Sequence, residues 1–222
     1  MPDTALAPAP AMGIASAGGR DNRVLPSVAA MPGDSGVWVF IFADMCAFAV
    51  FFALFAAGRI AQPALYEASR RQLDLALGLT NTLVLLTSGA FMAQAARSAR
   101  AGNARATLRC LAATLGVGSL FGVSKTIEWS AKLNHGIGLT TNEFFTYYFV
   151  FTGIHFLHFV IGLGVLAVLI ARVRADERAG DTLAAGRGRD TLRWIEAGGA
   201  YWHMVDLLWI VLFAMLYLMR GA

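Results

Sequence analysis

From Phe144 to Ala171 the chain carries no Asp, Glu, Lys or Arg, yet two histidines, His155 and His158, stand in the middle of the run. A helix crosses the hydrocarbon core of a bilayer with about 20 apolar residues, so this run is long enough to span a membrane. Lipid offers a polar group no hydrogen bond, so each imidazole must find its partner inside the protein. Three residues apart on a helix, the two histidines share a face. A second cluster echoes the first: in Tyr201-Trp202-His203-Met204-Val205-Asp206, His203 and Asp206 are again three apart within an apolar run. Both read as the polar seam of a helical membrane bundle.

The rest of the chain fits that frame. Of 222 residues, 57% are hydrophobic and 14% charged, where a soluble domain has about a quarter charged. The apolar residues fall in five blocks, which predicts an all-α polytopic protein with spans at about 37–57, 75–96, 108–129, 144–171 and 197–219. Residues 1–30, rich in Ala, Pro and Gly, read as a disordered tail ahead of a single membrane domain over 31–222. They lack the basic start and apolar core of a signal peptide. Pro32-Gly33-Asp34-Ser35 makes a turn before the first span, and 59–74, 97–109, 130–142 and 172–194 read as loops. Thr141 or Asn142 is the cap of the fourth helix, and Glu143 suits its positive end. Cys46 and Cys110, far apart and outside any metal-ligand spacing, read as small buried apolar residues. Gly116, Gly118 and Gly122 give the third span a thin face, and Thr80-Asn81-Thr82 with Thr87-Ser88-Gly89 give the second a hydroxyl-rich one for helix packing.

The net charge of +4 matters through its placement. Five spans put the termini on opposite sides. One side receives Arg20, Arg23, Arg97, Arg100, Arg105, Arg109, Arg172, Arg174, Arg178, Arg187, Arg189 and Arg193, twelve in all, and the other receives Arg59, Arg70, Arg71, Lys132 and Arg220, five in all. By the positive-inside rule the N-terminus is cytoplasmic and the C-terminus outside.

Ionisable residues inside the spans are the candidate functional groups: Asp44, Lys125, Glu128, His155, His158, His203 and Asp206, with Glu143 and Asn81 beside them. Lys125 and Glu128 pair at a three-residue spacing near the outer end. For the histidines and Asp206, four readings stand side by side. They bond between helices, each bond contributing about 0.6–2 kcal/mol. They hold a metal, since His155, His158, His203 and Asp206 suit Zn or Fe in ligand type. His158 and His203 bind a haem from facing helices. Or an intramembrane acid such as Asp44 exchanges a proton or bonds a lipid headgroup. The aromatic crowd from Phe144 to Phe151, and Trp194, Tyr201 and Trp202 in the fifth span, read either as interfacial belt and packing or as a flat surface for a larger membrane subunit.

At these residues the chain resembles subunit III of the haem-copper oxidases. The matching pieces are Gly36-Val37-Trp38-Val39-Phe40 to Asp44 with Phe51-Phe52; Thr80-Asn81-Thr82 with Thr87-Ser88; Gly122 through Lys125 to Glu128-Trp129; Thr152-Gly153-Ile154-His155 with His158 and Gly162; and Tyr201-Trp202-His203 with Val205-Asp206 and Trp209. They come in the family's order. The resemblance implies the shorter, five-span form of a family whose longer members have seven. It implies an accessory subunit with no haem, copper or other cofactor of its own, packed against a large catalytic subunit, binding phospholipid and supporting oxygen or proton access in a bacterial cytoplasmic membrane. Asp44 stands where the family has glutamate, Phe156 where it has glycine, Lys125 where glutamine is frequent, and Trp129 where tyrosine is usual. These departures resemble the NorE-type branch, associated with nitric oxide reductase in denitrification. A free-standing membrane metal or haem enzyme, or a proton carrier using the His155/His158/His203/Asp206 cluster, is the alternative class.

Overall fold

Capping residues, more than hydrophobicity, decide where the helices begin. A computed structural model of the chain describes residues 35–180, 183 and 187–219; the tail expected over 1–30 and most of the turn expected at Pro32–Ser35 lie outside them. Among the described residues six helices follow in order: α1 (Ser35–Ala61), α2 (Pro63–Arg70), α3 (Leu75–Arg100), α4 (Ala104–Asn134), α5 (Glu143–Ala179) and α6 (Arg187–Phe213), the last continuing into a π-helical turn, Ala214–Leu218. Five of them are long and apolar enough to cross a membrane. Asp74, Asn103 and Asn142 each accept a hydrogen bond at 3.0 Å from a backbone N–H of the first turn of α3, α4 and α5, satisfying one of the donors a helix start leaves open. Of the two candidate caps for α5, Asn142 is the one that does it.

The spans outrun their expected limits. α3 and α4 meet across residues 101–103, so Arg97, Arg100, Arg105 and Arg109 lie on helix ends and not in a loop. α5 runs on through Arg172, Arg174 and Arg178, and stops at Gly180, whose φ of +73° suits a residue without a side chain. At 1.5 Å per residue its 37 residues reach about 55 Å, well beyond a hydrocarbon core of about 30 Å. The apolar run marks only the part of each helix that lies in lipid. The segment 59–74, expected as a loop, contains α2, started by Pro63 at its first turn, where a missing N–H costs nothing.

α3, α4, α5 and α6 form a closed bundle, with α6 packed on α3 and α5, and α4 packed on the same two helices; α1 lies outside against α5 and α6, and α2 touches α1 and α5 at one end. α6 carries the centre. Trp202, Val205, Trp209 and Leu212, spaced three or four apart, are fully buried, while His203, Leu207 and Ile210 form an exposed stripe. Trp202 fits because its neighbours have no side chains: a Cβ on Gly118 or on Gly162 would come within 2.9 Å of its indole. Gly122 similarly admits Phe159, at 3.0 Å from where a Cβ would sit, whereas Gly116 faces open space and belongs to no such contact. Cys46 is exposed and Cys110 half-buried, which corrects the expectation that both are buried: their helices turn those faces outward.

The Trp202 contact gives a direct check. Gly162→Ala should destabilise the bundle by about 1–3 kcal/mol through overpacking. Gly164→Ala, on a face with nothing within 4 Å, should leave the thermal unfolding midpoint in detergent unchanged or slightly raised.

Candidate functional site

The most concentrated polar chemistry lies at the end of the bundle that α2 caps. Lys125 and Glu128, one turn apart on α4, are 2.9 Å from each other with side chains only 1% and 5% exposed. Glu128 is also the acceptor for two phenols: Tyr148 of α5 donates to Oε1 at 2.6 Å and Tyr217 of the π-helical turn at 2.8 Å. The Lys125 ammonium reaches the Tyr148 and Tyr217 hydroxyls at 3.0 and 3.4 Å and lies 5.2 Å from the Trp209 ring centre. One carboxylate thus ties three elements together. The neighbouring Lys132 donates to the backbone carbonyl of Gln72 at 3.2 Å. Glu143 accepts from Gln62 Nε2 at 2.7 Å and Tyr66 Oη at 3.2 Å, joining the start of α5 to the short helix α2. Burial and that same carboxylate push the Tyr66 phenol above its ordinary value.

Deeper in the bundle the expected seam separates into three contacts. His155 is fully buried, and its Nε2 lies 3.0 Å from the Val205 carbonyl oxygen on α6. A carbonyl only accepts, so Nε2 carries the proton. The ring sits between Phe121 and Trp209, at 5.7 and 5.3 Å between centroids. Trp209 Nε1 donates to Thr82 Oγ1 of α3 at 3.1 Å, and Ser88 Oγ donates to the Thr114 carbonyl of α4 at 2.8 Å. Asn81, buried beside them, has no partner for its Nδ2 among the described residues.

His158 turns instead towards α1, where its Nε2 lies 3.2 Å from Asp44 Oδ1. Its Nδ1 lies 2.9 Å from the Ile154 carbonyl and must donate there. The Nε2–Oδ1 contact therefore holds one shared proton, on either the imidazole or the carboxyl. Tyr201 donates to the His158 carbonyl at 3.0 Å and stacks with Phe40 of α1 at 6.2 Å between centroids. Phe48, Phe51, Phe52 and Phe55 complete the α1 contact.

The third contact faces the membrane. His203 Nδ1 is 3.6 Å from Asp206 Oδ2, with the His203 side chain 49% exposed and that of Asp206 7% exposed. Asp206 packs against Gly89 so closely that no Cβ would fit there. The four groups His155, His158, His203 and Asp206 are therefore not one cluster, because each imidazole is drawn to a different neighbour. Among the described residues no three His, Cys, Asp or Glu side chains converge as a metal site requires.

Thr82 bonds across the helix contact, as its hydroxyl-rich stretch implies, whereas Tyr148, Tyr217 and Trp209 do not stand out in the sequence as polar partners. Two tyrosines in apolar runs were a usable signal, because a buried phenol seeks an acceptor. Nothing local marks Tyr217 as a partner of Glu128, 89 residues away in sequence.

The family model of cytochrome c oxidase subunit III matches residues 28–220. Cytochrome c oxidase subunit 3 of Synechocystis sp. is 29% identical over 184 residues, which cover 83% of this chain and 74% of that protein. The heme-copper oxidase subunit I+III of Aeropyrum pernix is 30% identical over 190 residues, covering 83% of this chain but 22% of that longer protein. A probable cytochrome c oxidase subunit 3 of Nocardia farcinica is 24% identical over 185 residues, covering 83% of this chain and 87% of its own length.

The Glu128 network makes a second check. Glu128→Leu leaves the Lys125 ammonium buried without its counter-charge, and should cost about 3–5 kcal/mol. Adding Lys125→Met should recover part of that loss, so the pair is strongly non-additive in a double-mutant cycle read by detergent unfolding.

Proposed function

Because the chain belongs to the cytochrome c oxidase subunit III family, we propose that it is a non-catalytic accessory subunit of a respiratory haem-copper enzyme, standing beside the large catalytic subunit in the membrane and stabilising it. The observation that carries this reading is where the polar groups go. Glu128 spends its oxygens on Lys125, Tyr148 and Tyr217, and His155 spends its proton on a backbone carbonyl. Apart from the Lys125 pair within α4, these bonds join helices of one bundle, which favours a rigid scaffold over turnover. The Aeropyrum relative supports the partner: its name joins subunits I and III in one chain. In this reading the chain carries no haem or copper of its own and contacts membrane phospholipid.

Within the family we read the chain as the NorE-type branch, serving an enzyme that reduces nitric oxide. Two of the departures that favour this branch touch each other: Phe156 lies 5.2 Å from Trp129 between ring centroids. They are a matched pair of changes on α5 and α4, not scattered ones. Lys125, a third, is integral to the Glu128 network.

For orientation we propose a cytoplasmic N-terminus. The joined ends of α3 with α4 and of α5 with α6 carry Arg97, Arg100, Arg105, Arg109, Arg172, Arg174, Arg178, Arg189 and Arg193, the side the positive-inside rule assigns to the cytoplasm. Some are held there: Arg100 pairs with Glu196 at 2.8 Å, and the Arg172 guanidinium lies 4.7 Å from the Trp194 ring centre.

Two measurements test this. Affinity purification from native membranes should bring down a haem-bearing large subunit, whose identity separates nitric oxide reductase from oxidase, while the isolated chain shows no haem absorption band. A haem band and stoichiometric metal in the isolated chain would overturn the accessory reading. Reporter fusions after Arg20 and after Ala222 should report opposite compartments; the same compartment for both would overturn the five-span topology.

A further inference from the structure

Between α3 and α6 a groove of about 380 Å³ opens to the lipid. Its floor is Gly89, Ala90 and Ala93, its walls are Leu86, Leu207 and Ile210, and two polar residues stand in it, His203 and Asp206. Asp206 is only partly satisfied by its own bundle, as is Asp44, and of the two it is the one that lines this groove. It is 5% exposed, its Oδ1 has no partner among the described residues, and its only ring neighbour, His203, is at 3.6 Å. The structure thus leaves a half-exposed imidazole facing hydrocarbon, with a buried, unpaired carboxyl oxygen behind it.

Depth restricts what can answer them. Gly89, against which Asp206 packs, lies fourteen residues from Leu75 and eleven from Arg100, or about 20 and 16 Å from the two ends of α3 at the helical rise. The apolar part of α3 ends near Ala96, seven residues or about 10 Å beyond Gly89, so the pair lies within the hydrocarbon. Phospholipid headgroups stay at the surface and acyl chains have neither donors nor acceptors, so lipid satisfies the apolar walls and not the polar pair. A floor of glycine and alanine lets another helix approach closely, the geometry in which a hydroxyl, amide or indole side chain can bond across the contact. We propose that this groove is the docking site for a membrane-spanning helix of the catalytic subunit, which presents a hydrogen-bonding side chain to the half-exposed His203 of this pair. The inference rests on the accessory-subunit reading and adds to it which face is used. The exposed faces of α1 and α5, bearing Phe42, Val50, Leu157 and Val160, are uniformly apolar and suit lipid.

The test uses the whole complex from native membranes. Ala90→Trp fills the groove from its outer side without entering the core, as Ala90 is exposed. It should lower recovery of the haem-bearing subunit about tenfold, with the variant's own elution and melting unchanged. Val160→Trp, on the outer face of α5, should recover as much as the wild type. A photo-crosslinking residue at Leu207 gives a readout that does not depend on how Ala90→Trp folds, and should form an adduct with the catalytic subunit. Undiminished recovery with a folded Ala90→Trp overturns the inference, as do adducts at Leu207 with lipid only or with a second copy of this chain. In each of those cases the accessory reading stands if the wild type still brings down the haem-bearing subunit. If the wild type brings down none, both fall.

Discussion

A carboxylate in a bilayer has no water to turn to, and the bundle is built around the answer Glu128 finds. An isolated ion in so dry a setting costs several kcal/mol, and a counter-ion offsets that only if the remaining lone pairs are also bonded. Lys125 supplies the charge; Tyr148 and Tyr217 supply the two further donors. Those donors come from α5 and from the π-helical turn that ends α6, so satisfying one side chain of α4 fixes the positions of two other elements. The turn has no side-chain cap at its start; the Tyr217 hydroxyl, together with the Arg70 bond to the Tyr217 carbonyl at 3.2 Å, holds the end of the helix in place.

Apolar packing extends the same logic along α6. Lipid is as apolar as a leucine, so helices in a membrane gain little from mere burial and associate through close fit. Trp202 and Trp209 obtain that fit in different ways. Trp202 lies over two glycines, Gly118 on α4 and Gly162 on α5. Trp209 is gripped by Phe121, at 4.7 Å between centroids, and by the Thr82 hydroxyl. Each tryptophan therefore meets α6 neighbours on two sides, which explains why α6 is the central helix although α5 is longer and more apolar.

The five spans were legible because hydrophobic runs of that length have few other uses, and the Asn142 cap, the Lys125–Glu128 pair and the close approach at Gly118 and Gly122 follow from spacing within one helix. What sequence could not supply was the direction in which a side chain leaves its helix relative to the neighbours. His155 and His158 share a spacing, yet one bonds α6 and the other α1, because a three-residue step turns the helix by about 300° and so leaves them some 60° apart. Helix ends were misplaced for a related reason. Hydropathy registers lipid, whereas Asp74, Asn103 and Gly180 act on the backbone, and a helix continues through arginines such as Arg174 and Arg178 once it has left the membrane.

The distribution of satisfied and unsatisfied polar groups then separates scaffold from surface. Tyr148, Tyr217, Lys125 and Glu128 complete one another within the chain, and nothing outside is needed for them. Asp44 and His158 complete one another across α1 and α5, which makes this contact the polar anchor of the most peripheral span; Oδ2 of Asp44, still without a partner among the described residues, is the only part of that pair left open. Asp206 differs in its setting. It lines an open groove beside Gly89 and the half-exposed His203, and its buried Oδ1 has no partner among the described residues. In water such a pair would be an ordinary solvated edge. In lipid the same pair leaves an imidazole that acyl chains cannot bond, and in the proposed docking a helix of the catalytic subunit bonds it, so the bilayer turns an unfinished hydrogen bond into a direction for assembly.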